Sequence, residues 1–232
     1  MEEFIKNREF HHVFQPIFET SSESCLGYEG LLRTDQFSNP EHVFNQAKHE
    51  GLLYEMDIAS IEEALRKVEK KQNLQGKSIF LNLLPSTLND SRFLHDLDRL
   101  FGTLTTSPSS VVFELSEQEL LEPTDHHVKQ IETIQSWGCQ FALDDVGKGY
   151  ANFHTMIDFE FDMIKLDRGF ADGLTDSLRK KAFVKSMADY CKKLQIRLVL
   201  EGIETKRDYE TAKGLHIPSV QGYYLGRPTD LV

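Results

Sequence analysis

Residues 131–145 read IETIQSWGCQFALDD. Ile131 and Ile134 with Trp137 mark one helical face, and Gly138 can terminate that helix. Phe141-Ala142-Leu143 follows as a short apolar strand and runs straight into Asp144-Asp145. Working outward, the same pattern of helix, apolar strand and polar strand end recurs along the chain. Strands are expected at about 13–18, 27–33, 78–83, 111–115, 140–144, 161–166, 196–200 and 218–223. Ile58, Ile61, Leu65 and Val68 share a face of a helix over about 58–70. Phe183, Met187, Tyr190 and Leu194 do so over about 177–194, with Asp176 placed to cap it. About eight strands alternating with helices over one chain predict an α/β fold, and a (β/α) barrel rather than a doubly wound sheet. The Gly-rich turn usual after the first strand of a doubly wound sheet is absent. One domain is expected to take in residues 1–232.

The polar residues at the strand ends carry the chemistry. Asn82, Glu114, Asp144-Asp145 and Glu201 each close an apolar run, and Glu29, Lys165, Asp167 and Gln221 hold similar places. The C-terminal ends of barrel strands converge on one mouth, where active sites lie. Carboxylates gathered there repel one another and need compensation. Oxygen ligands without Cys or clustered His favour hard ions, Mg2+ or Mn2+, over zinc. Adjacent acids can bracket two such ions and clamp a phosphodiester. Lys165 is a cation among these acids, able to orient water or stabilise phosphate charge. Arg33 could fork onto a phosphate oxygen. A barrel glycosidase using Glu114 and Glu201 remains an alternative on the residues alone. A single Trp is a poor supply of sugar platforms, and the Asp pair and Lys165 would then have no role.

Composition excludes other classes. A net charge of −11 makes the chain a poor binder of nucleic-acid polymers. Three scattered cysteines without C-x-x-C argue against a disulfide framework or zinc knuckle. Gly147-Lys148-Gly149 lacks P-loop spacing, and His11-His12 and His126-His127 form no H-E-x-x-H. No apolar run approaches the ~18 residues a membrane helix needs. The N-terminal MEEFIKNREF is charged and has no apolar core of a secretory signal, so a cytoplasmic location without a membrane is expected.

Together these residues resemble the EAL-domain phosphodiesterases from about Phe14 to Pro228. Gln15-Pro16-Ile17 is similar to the opening Q-P-I, and Glu29-Gly30-Leu31-Leu32-Arg33 to the name-giving E-A-L-L-R. Asn82, Glu114-Leu115-Ser116-Glu117 and Asp144-Asp145-Val146-Gly147-Lys148-Gly149-Tyr150 follow in order. Lys165-Leu166-Asp167, Glu201-Gly202-Ile203-Glu204 and Gln221-Gly222-Tyr223 complete the set. Each match is weak alone; the ordered series is specific.

The resemblance implies a modified TIM (β/α)8 barrel with one antiparallel strand. It implies metal-dependent hydrolysis of cyclic di-GMP to linear pGpG, with two ions and a metal-bound water as nucleophile. Glu29, Asn82, Glu114 and Asp144 would hold one ion, and Asp144 and Asp145 the other with Glu201 nearby. Asp167 would support them. Lys165 and Glu201 would be catalytic, while Gln15, Leu32, Arg33 and Gln221 would contact substrate. Glu117 and Glu204 would steady the surrounding loops. A homodimer is expected, coupled to the site through the loop after Asp145. A non-catalytic cyclic di-GMP receptor of the same fold is the alternative. The chain departs from the family pattern at Gly30, Val146, Lys148, Ala151 and Leu225. Lys148, in place of Thr, is expected to bear on dimer coupling more than on metal binding. Leu225, in place of Phe, is expected either to cost an aromatic ligand contact or to leave it to Tyr224.

Overall fold

The computed structural model describes residues 1–71, 74, 76–116, 124–148 and 153–230. Its centre is a closed eight-stranded barrel. In chain order the strands are β1 (His11–Glu19), β2 (Cys25–Arg33), β3 (Ser78–Asn82) and β4 (Val111–Ser116). They continue as β5 (Gln140–Val146), β6 (Met163–Leu166), β7 (Arg197–Leu200) and β8 (Ser219–Gln221). The strands from β2 through β8 pair in parallel. The expected antiparallel strand is β1, which runs against both β2 and β8 and closes the barrel. Pro16, which has no N–H to give, sits between the β8 pairing that begins at Ile17 and an isolated bridge from Phe14 to Thr229.

Helices α1 (Glu2–Lys6), α2 (Pro40–His49), α3 (Leu53–Glu69), α4 (Pro85–Leu88) and α5 (Phe93–Thr103) lie among the first four strands of the sequence. After β4 come α6 (Asp125–Ser136), α7 (Phe153–Asp158), α8 (Leu178–Lys193) and α9 (Lys206–Gly214). Two helix starts differ from the periodicity reading. Helix α3 begins at Leu53 rather than 58, because Met56 and Ala59 bury a second face against Phe4, Phe10, Leu32, Val43 and Ala47. The cap of α8 is Ser177, whose hydroxyl accepts from Lys180 N at 3.2 Å. Asp176 instead ends a preceding 3-10 turn and pairs with Arg207.

Strand alternation sorts the side chains into two shells. Phe113, Phe141, Leu143, Ile164, Leu198 and their neighbours point outward into the main core under the helices. Ile17, Phe80, Val112, Ala142, Met163 and Val199 point inward and plug the barrel. Two residues from each plug residue, on the same face of its strand, stands a polar partner: Gln15, Asn82, Glu114, Asp144, Lys165 and Glu201. The barrel axis is therefore apolar below and polar above, and β1, being reversed, contributes Gln15 before Ile17 in sequence.

Candidate active site

The polar layer opens into a cavity of about 690 Å³. Beneath the lining residues, Lys165 is fully buried. Its Nζ lies 2.6 Å from Glu114 Oε1, 2.8 Å from Glu201 Oε1, 3.0 Å from Asp144 Oδ1 and 3.6 Å from Glu29 Oε2. Glu29, Glu114 and Asp144 each present a carboxylate oxygen within 4.8 Å of the others, a grouping able to hold a metal ion. Buried Glu114 Oε1 and Asp144 Oδ1 are faced by the Lys165 ammonium, while Glu114 Oε2 makes no hydrogen bond among the described residues. A buried carboxylate oxygen left so is costly unless a further cation faces it. The all-oxygen donor set and that oxygen fit a hard divalent ion.

One ammonium cannot neutralise four carboxylates. Burial, with the like charges of Glu29 and Asp144, pushes the Glu114 carboxyl well above its usual range against the pull of Lys165. Burial raises Glu201 from 4.5 to about 8. Lys165 loses hydration, yet Asp144, Glu114, Glu201 and Glu29 outweigh that loss and hold it charged.

A pH dependence follows for the protein without metal. A carboxyl whose folded pKa lies above its unfolded value contributes stability below the unfolded pKa and loses it as pH rises through the folded one. In EDTA, the melting temperature should therefore fall by roughly a few degrees between about pH 5 and pH 8. With Mn2+ present the fall should vanish or reverse, because binding favours the ionised carboxylates. Circular dichroism melts across that range in both conditions check this; identical profiles would remove the electrostatic account.

Asp144 and Asp145 are adjacent, and alternation alone would turn Asp145 outward. It does not stay outward, for two backbone reasons. The β5–β6 register slips between Leu143 and Val146, and Asp145 adopts φ +56°. Asp tolerates this left-handed geometry better than most residues. Both carboxylates then line the cavity. Burial raises the Asp145 carboxyl, while Lys148 Nζ donates to its Oδ2 at 2.8 Å and draws it back.

The remaining expected residues are placed as follows. Asn82 and Glu201 line the cavity, and Asn82 is in register with Glu114. Gln15, Leu32, Arg33 and Gln221 form its walls. Gln221 Nε2 donates to Glu29 Oε2 at 2.5 Å, Gln15 Nε2 to Gly226 O at 3.1 Å, and Arg33 Nη1 to Leu32 O at 2.8 Å. Glu204 stands exposed at the rim. Asp167 is not among the lining residues; its Oδ1 accepts from Gly169 N at 2.8 Å and caps a 3-10 turn. Glu117 and Ala151 lie outside the described residues.

Several lining residues escape the sequence reading. Asp57 and Ser60 reach the cavity from α3, and His12 from β1. Asp57 falls before the helix start expected at 58, yet it lies within α3, is buried, and its Oδ2 accepts from Leu84 N at 3.0 Å. Buried His12 bonds Ser60 at 3.1 Å and also contacts Glu63. Tyr223, not Tyr224, lies on the cavity wall, with the Arg227 guanidinium 4.3 Å from its ring centre. Tyr224 packs beside Tyr209, and Leu225 joins the core.

Comparison with known proteins places this geometry. The EAL domain family matches residues 1–228. The chain is 26% identical over 222 residues to the probable cyclic di-GMP phosphodiesterase PdeA of Escherichia coli K12, covering 94% of this chain and 30% of that protein. It is 27% identical over 229 residues to the cyclic di-GMP phosphodiesterase RocR of Pseudomonas aeruginosa, covering 97% of this chain and 58% of RocR. Klebsiella pneumoniae BlrP1, solved with manganese and cyclic di-GMP, superposes with a TM-score of 0.86 at 26% identity, covering 95% of this chain and 56% of BlrP1. The chain thus spans from under a third to somewhat over half of the curated relatives it matches. Among the described residues no helix is long and apolar enough to cross a membrane.

Proposed function

The chain belongs to the EAL domain family, and from that premise we propose that it hydrolyses cyclic di-GMP to linear pGpG with two divalent cations, Mg2+ or Mn2+. The observation that carries the proposal is the trio of Glu29, Glu114 and Asp144, with oxygens within 4.8 Å of one another beneath an open cavity. Glu29, Asn82, Glu114 and Asp144 would hold one ion, and Asp144 and Asp145 the other beside Glu201. Asp167, capping the turn after β6, would brace that side. Ions held there would supply Lewis acidity and an acidified water near neutral pH.

The chain's own residues divide the rest of the work. Lys165 is fixed by the surrounding carboxylates, so its ammonium is preorganised to orient the attacking water and to meet charge growing on the phosphate. Glu201, on the cavity wall and 2.8 Å from Lys165 Nζ, would take up the proton released by the attacking water. Arg33 offers a planar fork to a phosphate oxygen, and Gln15 and Gln221 offer amides to the substrate. Glu117 and Glu204 would steady the loops beside the mouth. A homodimer joined through the loop after Asp145, and a cytoplasmic location, belong to the same proposal.

Purified protein with Mg2+ or Mn2+ should convert cyclic di-GMP to pGpG and leave cyclic di-AMP largely intact. EDTA should reduce turnover to background, and excess Mg2+ should restore it. Folded, metal-binding protein that turns over nothing with either ion overturns the enzyme reading. A non-catalytic receptor is the second reading, favoured by the contact of Lys148 with Asp145. Calorimetry would then give metal-independent binding of cyclic di-GMP without hydrolysis.

A further inference from the structure

Lys165 and Lys148 both face the carboxylates of the cavity, but in different ways. Lys165 is enclosed and contacts four acids. Lys148 contacts one, Asp145, through a pair whose side chains are 47% and 23% exposed. Exposed ion pairs are weak, on the order of 1 kcal/mol or less, so this contact can open while that of Lys165 cannot. The backbone nevertheless aims Lys148 at its partner. Lys148 N bonds Asp145 O at 3.0 Å, and the turn between them needs Gly147 at φ +93°. A Cβ at Gly147 would meet the Phe170 ring at 2.4 Å, and that ring is stacked on Phe183 with centroids 4.9 Å apart. The ammonium is thus delivered by a short, fixed tether, which gives it a high effective concentration at the carboxylate.

We infer that Lys148 is an internal counter-ion that competes with a divalent cation for Asp145. The inference rests on the two-ion reading of the site. An ion entering beside Asp145 must displace the Lys148 ammonium, whereas the cation facing Glu29, Glu114 and Asp144 is the enclosed Lys165. Lys148 therefore raises the free cation concentration needed beside Asp145 without raising that needed at the other position. Lys148 is a positioning residue in this sense: it sets the cation level at which the site is complete.

The test is a Mn2+ titration of the full chain, read by the electron paramagnetic resonance of free Mn2+ and by calorimetry. Wild type should bind two ions. Lys148→Thr and Lys148→Met should tighten the one beside Asp145 roughly tenfold and leave the other unchanged, as expected on removing a unit charge a few ångström from a divalent ion in a solvent-facing site. Lys148→Arg, which keeps the charge, should stay near wild type. Lys148→Met keeps most of the chain's bulk, so the comparison survives if the threonine variant fails to fold. An affinity beside Asp145 equal in all four proteins overturns the inference while leaving the phosphodiesterase reading intact. So does an equal shift in all three variants, which would mark a packing role. Folded wild type that binds no Mn2+ overturns both.

Discussion

Asp144→Asn should lower turnover of cyclic di-GMP by about a thousandfold or more, since it removes a carboxylate shared by both proposed ion positions. The same substitution should make the metal-free protein more stable. Asp144 lies 3.0 Å from Lys165 within an excess of negative charge, and an amide of the same shape reduces that excess. The signature is thus opposed: activity lost, apoprotein melting temperature raised, and the gain in melting temperature from Mn2+ diminished. Substantial activity at saturating metal would remove Asp144 from its assigned role. A fall in both activity and apoprotein stability would mean that the residue chiefly holds the fold.

Lys165→Met carries the second large effect. Four acids would lose the one cation within 4 Å of them all. Breaking a buried charge assembly by removing one partner costs about 3–5 kcal/mol. For a chain of this size that corresponds to a drop of roughly 6–20 °C in melting temperature without metal. Divalent ions should then recover much of the loss, because they supply the missing positive charge. The melting temperature should rise more steeply with Mn2+ in the variant than in wild type. Turnover should stay low even where the fold is restored. A variant as destabilised with Mn2+ as without it would make Lys165 a structural cation only.

The barrel was legible because about eight short apolar strands alternate with helical stretches, and because a polar residue closes most of those strands. Phe80 and Asn82, Val112 and Glu114, Val199 and Glu201 are readable as pairs two residues apart. The reversed direction of β1 was not readable from pattern; alternation has the same period whichever way a strand runs, and only the resemblance implied it. Ser177 was missed as a cap because Asp176 beside it is an equally good candidate until the 3-10 turn claims it. Asp57 was missed because the expected helix began at 58, one residue after it, whereas α3 begins at Leu53. Lys148 was expected to bear on dimer coupling; its contact with Asp145 was not foreseen. The cause is a positive-φ turn at Gly147, and a three-residue spacing alone does not announce such a turn.

Closure through β1 sets an order of assembly during synthesis. Ile17 awaits Gln221 as its partner, and Glu29 awaits the amide of the same glutamine. At about 5–20 residues per second, the ribosome delivers that glutamine on the order of ten to forty seconds after Gln15. Until then the nascent sheet has a raw edge on β1 and another on whichever strand came last, both open to mispairing. The acids emerge early and in sequence, but they share a floor only when the ring closes. A stalled or cleaved chain lacking β8 should therefore leave its acids apart and collect no divalent ion.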